Sequence, residues 1–330
     1  MHSITPISFF FLSLFLPYVY SSFIHPGLLA TDSDITRAKS MIAQQKNPWL
    51  ISWNKLSSIQ YSSPSYIPNA VSSVDRSSNG ELLWHDAAAA FNLALCWKIS
   101  GDSHYADASA RVLLDWATKL QSLSGGDDKY LTSGLQGHQL ANAAELLRDY
   151  PPFAENGLTI VTRMMTTVFL PLNIKFLNHG EPSEHNHLHF FANWELSNVA
   201  SAMAIGALTD NQTVWDFAIN YFKNGTGNGA LSNAITNIVE EPGTGNPLGQ
   251  GQEEGRDQGH SLLDVQLLGI IAQQAWNQGE DLFGYDNNRI LLGYVALSLY
   301  ESFTYVVLDF DNHAGPNTSP GTTQATMFPL

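Results

Sequence analysis

From residue 31 onward, apolar positions recur at intervals of three and four rather than two, the spacing that gathers them on one face of a helix. Thr31 to Asp34 reads as a helix start ahead of Ile35, Ala38 and Ile42. Asn47-Pro48 breaks that helix, and Trp49, Trp53 and Leu56 mark the next. Residues 57 to 80, rich in Ser, Pro and Asn, read as a long loop. Glu81 to Ser100 predicts a long Ala-rich helix stopped by Gly101, and Asp102 or Ser103 caps the following one, which runs to Leu120. Further helices are predicted over 135–150, where Pro151-Pro152 ends the run, and over 158–177, 190–208, 213–222, 256–276 and 287–305. No alternating strand pattern of comparable strength is present.

Successive helical hairpins of this kind predict an all-α chain. Small residues at Ala87 to Ala90, Ala141 to Ala144 and Ala200 to Ala207 allow close helix approach, which suits an array that curves back on itself. The expected architecture is an α/α toroid, an incomplete barrel of hairpins with helix ends and loops lining a cleft. A straight solenoid is disfavoured because no strict sequence period runs through the hairpins. The domain is expected to span residues 23–305, and the Gly-, Pro-, Asn- and Thr-rich stretch 306–330 is expected to be a disordered or truncated tail.

The first 22 residues form an apolar segment with small residues at Ser21 and Ser22, as in a secretory signal peptide, so a secreted, extracellular protein is expected. No later apolar run reads as a bilayer span. Three N-x-S/T sequons, at Asn211, Asn224 and Asn317, suit N-glycosylation on that route. Cys96, the single cysteine, lies in A-L-C-W and reads as a core residue. With 44% hydrophobic and 14% charged residues the 330-residue chain can build a large core. Its net charge of −15 argues against nucleic acid and anionic membranes as partners, and no signal points beyond a monomer. A polyanionic substrate would therefore need a local cationic cleft.

Four polar clusters interrupt the helical pattern. The densest is Gly251 to His260, G-Q-E-E-G-R-D-Q-G-H, which feeds an apolar segment from Leu262 to Ala275. If the helix begins near Arg256, then Arg256 and His260 share one face of its first turn, where the helix dipole adds positive potential. The others are Gly134 to Gln139, His185 to Glu195, and Leu282 to Arg289, each read as a helix start that a toroid could bring to one rim. Amide, Arg, His and Tyr groups without an obvious close carboxylate pair fit β-elimination on a uronate. Arg, Asn or Gln neutralises the sugar carboxylate so that the C5 proton can leave; a His with an ordinary pKa of about 6.5 serves as base, and a Tyr phenol protonates the departing O4. The main rival for Arg256 is a salt bridge to Glu253, Glu254 or Asp257. His185, His187 and His189 alternate as a metal site might, but without a firmly placed carboxylate or Cys they point instead to substrate contact through His187.

Several of these stretches resemble the alginate lyase domain family, as a fungal-type secreted member: F-I-H-P-G-L-L, W-K-I-S-G-D-S-H-Y-A-D-A-S-A-R-V-L-L-D-W-A, Q-G-H-Q-L-A-N-A-A-E-L-L-R, A-N-W-E-L-S-N-V-A-S-A-M-A-I-G, E-E-G-R-D-Q-G-H and A-W-N-Q-G-E-D-L-F-G-Y-D-N-N-R. The resemblance covers residues 23 to 305. It implies an α/α toroid and a polysaccharide lyase acting on a 1,4-linked uronate polymer such as alginate or glucuronan, without metal or other cofactor. It places carboxylate neutralisation on Asn193 and Arg256, makes His260 a cleft acid or base, and leaves Tyr285 as the candidate tyrosine because Gly259 stands where alginate lyases proper lead one to look for it. Gln136, His138, Asn186, His187, Trp194, Gln258 and Arg289 follow as substrate-binding candidates. Two other readings remain: an inverting glycoside hydrolase using Asp86 with Glu254 or Asp257, and an inactive carbohydrate-binding protein.

Overall fold

A computed structural model describes residues 23–179, 190–241 and 243–307, with side chains placed through Leu297. Helices α1 (Asp32–Ala43) and α2 (Trp49–Ser58) open the chain. A short strand β1 (Ser73–Asp75) pairs in parallel with β2 (Ser122–Ser124), on either side of the hairpin α3 (Gly80–Ser100) and α4 (Ser103–Lys119). Then come α5 (Asp128–Leu146), α6 (Pro151–Ala154), α7 (Gly157–Met164), a π-helical turn over Met165–Phe169, and α8 (Leu170–Leu177). Beyond the gap lie α9 (Ala192–Leu208), α10 (Gln212–Asn224), α11 (Leu231–Ala234), the hairpin strands β3 (Ile235–Glu240) and β4 (Pro247–Gly251), α12 (Gln258–Asn277) and α13 (Tyr285–Val307).

The helices form two layers because their sequences bury different amounts of surface. In α9 every residue but Trp194 is buried, so this helix can only be an inner one. It packs between α5 and α12, and α5 in turn packs on α3. Gly134 and Gly137 of α5 lie against Ser197 and Ser201 of α9, so the two helices run the same way. A β-carbon at either glycine would meet the facing serine Oγ at 2.3 and 2.2 Å. Outer helices return antiparallel: Ser109 of α4 donates to the Ala90 carbonyl at 2.7 Å and the Trp116 indole donates to Asp86 at 2.6 Å. Inner helices in parallel with antiparallel outer partners make the α/α toroid expected from the hairpin pattern. In the parallel pair α5 and α9, both N-termini fall at one end of the array.

Several expectations are corrected. The β3–β4 hairpin was absent from the sequence reading because it lacks an inside–outside alternation: Ile235 is buried and the remaining residues of β3 are exposed. The helix expected over 135–150 begins at Asp128, so Gln136 and His138 lie inside a helix and are buried rather than at a rim. The helix expected from Arg256 starts at Gln258, because Asp257 accepts from the His260 amide at 2.9 Å and is the better cap. The last helix carries left-handed residues at Asp286, Asn287 and Asn288, with φ of 50, 58 and 62°. Gly157–Leu177 is long and apolar enough by composition to cross a membrane, contrary to the expectation for the chain beyond residue 22. Here it packs as an outer layer, with Asn173 donating to Ser133 at 3.0 Å and to Asn198 at 2.7 Å. Residues 1–22 and 308–330, which include the expected signal peptide, most of the tail and Asn317, lie outside the described residues.

Two motifs prove to be structural ties. The segment Phe23 to Leu29 crosses the C-terminal ends of the inner helices. Leu29 N–H donates to Asn142 at 3.0 Å, Asn277 donates to the Leu28 carbonyl at 2.6 Å, and Gln278 both accepts from Ile24 N–H and donates to the Ile24 carbonyl at 2.9 Å. The His25 ring sits between Glu145 at 2.5 Å and Asp210 at 3.0 Å, and the bond to Glu145 holds its pKa above the ordinary histidine value. Asp86, fully buried, accepts from Tyr66 O–H at 2.6 Å, Asn69 N–H at 2.7 Å and the Trp116 indole, and so pins the 57–80 segment to the α3–α4 hairpin. Asp86→Ala should cost about 3 kcal/mol of unfolding free energy, since each buried donor left without an acceptor costs about 1–3 kcal/mol. A urea titration checks it, and an unchanged midpoint would contradict the assignment. Cys96 is buried with its thiol pushed up to about 11 by desolvation, which agrees with a core role.

Candidate active site

The site is built where the 251–260 stretch crosses the start of α9. Phe191, in the N-cap position of α9, has no side-chain group to bond the helix's first amides. Gln252 and Glu253 supply it from a distance: Gln252 Oε1 accepts from Ala192 N–H at 2.7 Å, and Glu253 Oε1 from Asn193 N–H at 3.2 Å. Glu253 is fully buried, and its carboxylate also accepts from the Asn193 side-chain amide at 2.5 Å and from Arg256 at 2.7 Å. A negative charge at a helix N-terminus is favoured by the dipole, so the α9 end itself supports Glu253. The guanidinium of Arg256 lies 4.3 Å over the Phe191 ring, with Asp257 3.8 Å from its Nε. Its side chain is 36% exposed, enough to leave part of the planar fork facing solvent.

Asp257 has two tasks. Its Oδ1 caps α12 through the His260 amide, and its Oδ2 meets His260 Nδ1 at 2.6 Å. The backbone bond from His260 is the chief reason that the Asp257 carboxyl is held below the ordinary range. An ionised Asp257 fixes the imidazole with a proton on Nδ1 and the Nε2 lone pair directed away, the arrangement a general base requires. Asn193, Arg256 and His260 thus belong to one cluster, organised by Glu253 and Asp257.

The other candidates distribute differently. Trp194 is partly buried in an aromatic cluster, 4.7 Å from Phe190 and 6.1 Å from Phe176 between ring centroids. Gln258 is exposed in the first turn of α12. Arg289 donates to the Ile235 carbonyl at 3.1 Å and pairs with Asp286 at 2.8 Å, tying the start of α13 to β3. Tyr285 lies with its ring 5.2 Å from the Lys223 ammonium, which pairs with Glu280; no described bond joins it to the cluster. His138 is buried, bonded to the Gly134 carbonyl at 3.1 Å, and burial pushes its pKa down to about 4, so it is a neutral core histidine. Gln136 is likewise buried within α5. Asn186 and His187, with His185 and His189, fall outside the described residues. Asp86, one carboxylate of the hydrolase alternative, is fully buried with three donors and is removed from any catalytic pairing. Asn211 caps α10 and Asn224 ends it, both exposed.

Sequence reasoning gave Glu253 only as a rival partner for Arg256. The structure shows that pairing, and shows that the same carboxylate carries Asn193. The signal was present as two adjacent glutamates three and two residues before the arginine. Its meaning depended on α9 lacking a cap of its own, and that requires knowing which helix the stretch meets.

The alginate lyase family model matches residues 34–297. Among solved structures, an alginate lyase from Bacteroides ovatus is similar over 85% of this chain and 84% of its own, with 12% identity and a TM-score of 0.55. Alginate lyase A1-III, as a histidine-to-alanine variant complexed with tetrasaccharide, is similar over 89% of this chain and 80% of its own, with 13% identity and a TM-score of 0.58. Its tyrosine-to-phenylalanine variant, also complexed with tetrasaccharide, gives 14% identity, a TM-score of 0.54, and coverage of 88% and 80%. These likenesses establish the fold. A search of curated proteins found no significant match. The match over most of the chain places it in the alginate lyase family, and the protein is a polysaccharide lyase.

Proposed function

We propose that the protein cleaves a 1,4-linked uronate polymer, alginate or glucuronan, by β-elimination, and that it does so outside the cell after secretion. The observation that carries this reading is the array Asn193–Glu253–Arg256 beside the Asp257–His260 pair. Arg256, 36% exposed, bonds the uronate carboxylate and stabilises the charge that develops there when the C5 proton leaves, while the buried Asn193 amide holds the Glu253 carboxylate that orients it. His260 Nε2 takes that proton. The C5–H electrons form the C4–C5 double bond, the C4–O bond breaks, and its electrons stay on O4. Where the C5 hydrogen and O4 lie on one face of the sugar, protonated His260 returns the proton to O4, so the base becomes the acid. Trp194 and Gln258 contribute binding at the rim, and exposed Asn211 and Asn224 carry glycans in a secreted chain.

The test is to incubate the folded protein with a panel of uronate polymers and to follow the ultraviolet absorbance of the unsaturated uronyl end. Expected is absorbance that rises together with new chain ends. New reducing ends without absorbance would mean hydrolysis, and silence across the panel would overturn the reading.

A further inference from the structure

A second acid stands behind Glu253. Asp264, in the second turn of α12, is 4% exposed, and with both acids ionised neither of its carboxyl oxygens has a donor among the described residues; the Glu253 carboxylate is its polar neighbour. It lines a narrow cavity between α12, α13 and the base of the β3–β4 hairpin, shared with Glu253, Glu254 and Ser261 and otherwise walled by apolar groups such as Ile235, Val265 and Leu268. Buried polar groups without partners are rare in folded proteins and call for a reason. An unpaired buried acid directly behind the carboxylate that carries Asn193 and Arg256 has one at hand.

We infer that Asp264 is a positioning residue for the lyase reaction: held as a neutral acid in this cavity, it gives its hydroxyl hydrogen to Glu253, directly or through one water, and so fixes the carboxylate that aims Asn193 and Arg256. The inference rests on the reading of Arg256, braced by Glu253 and Asn193, as the uronate clamp.

The charge count supports it. Among the described residues one guanidinium, Arg256, faces the pair; two carboxylates there would leave an unbalanced charge in an apolar cavity. Among the described residues, the charged and titratable groups on the elements around Asp264 are the following. From the preceding stretch come Glu253, Glu254 and Arg256, and the Glu254 carboxyl is itself pushed up by burial. Asp257 and His260, at the start of α12, pair with each other. From α9, Glu195 is turned to Tyr221 and the Gly229 amide, each at 2.7 Å. From α13, Tyr294 donates to the Val265 carbonyl at 2.8 Å, and Arg289 is engaged with Ile235 and Asp286. Burial is the main cause that raises the Asp264 carboxyl far above the ordinary range; Glu253 adds to it and Arg256 opposes it. Both causes favour the neutral form of Asp264, the form the inference requires. As pH climbs through its titration a second negative charge enters the cavity, Glu253 loses its donor, and the clamp loosens.

The experiment compares Asp264→Asn, which keeps shape and a donor but cannot ionise, with Asp264→Leu, which keeps bulk and has no donor. The readouts are the pH profile of kcat and KM on a uronate polymer, and the infrared band of a protonated carboxyl group at neutral pH. Asp264→Asn should keep most of the activity and retain it to higher pH than the parent. Asp264→Leu should lose about 10²-fold in kcat with a smaller change in KM, the cost of a misplaced catalytic array. The parent should show protonated-carboxyl absorption that Asp264→Asn lacks, seen as a band in the difference spectrum. Superimposable pH profiles for parent and Asp264→Asn, full activity of folded Asp264→Leu, or no protonated-carboxyl band in the difference spectrum would overturn the inference. A parent inactive on every uronate would overturn the functional reading instead, and the infrared comparison would still decide whether Asp264 holds its proton.

Discussion

Replacing His260 with alanine should lower kcat on a uronate polymer by about 10²–10⁴-fold, the usual contribution of a positioned general base. The expectation follows from geometry. Asp257 grips Nδ1 at 2.6 Å, so the ring has one orientation and one tautomer, and with 37% side-chain exposure its Nε2 is reachable by a polymer. The same variant should melt near the parent temperature, because the cap of α12 uses the backbone amide at position 260 and not the ring. Steady-state kinetics with a thermal melt separates the two effects. A loss below tenfold would remove His260 from the chemistry. Asp257→Asn provides a finer check: it keeps the cap but no longer holds the imidazole by charge, so it should reduce kcat while leaving the melt nearly unchanged.

Arg256→Ala should reduce kcat/KM by about 10²–10³-fold, the scale of losing one donor to a developing oxyanion. Two effects act together here. The uronate carboxylate loses its cation, and Glu253, fully buried, keeps its bond to Asn193 but loses its close counter-charge among the described residues. Arg256→Lys restores a charge but cannot span Glu253 and a substrate carboxylate with one planar fork, so it should recover only part of the loss. If Arg256→Ala destabilises the protein without slowing turnover of what remains folded, the arginine serves only as a structural partner of Glu253, the rival that the sequence already presented.

How much of this could be read from the chain alone depended on the range of the interaction. The α3–α4 hairpin was legible because every determinant is local: Gly101 takes a φ of 77° that favours glycine, and Asp102 accepts from the His104 amide, two residues ahead, at 3.0 Å. Arg256 and His260 were legible as chemistry because they stand together in a polar run. What stayed hidden is non-local. Nothing near α9 shows that its cap comes from Gln252 and Glu253, sixty residues along. Nothing near Gln136 shows that a helix already under way from Asp128 buries it. Asp264 sat unnoticed among Leu262, Leu263 and Val265, since an acid in an apolar helix face looks like a solvent-facing exception until the packing around it is known. Tyr285 was chosen by its neighbourhood in sequence, and its ring instead meets Lys223 from α10.

The tie between Phe23–Leu29 and the far end of α12 also governs when the molecule can finish folding. Ile24 and Gln278 are 254 positions apart, and Leu28 and Asn277 are 249 apart. During synthesis, the beginning of the domain must therefore wait, its backbone groups unsatisfied, until α12 has emerged. Closing so long a loop is slow, and until it closes the C-terminal ends of α5 and α12 lack the segment that joins them. In exchange, the docking bonds the beginning of the domain to α5 and to the end of α12, so that opening the helix that bears His260 also breaks contacts made by the first residues of the domain.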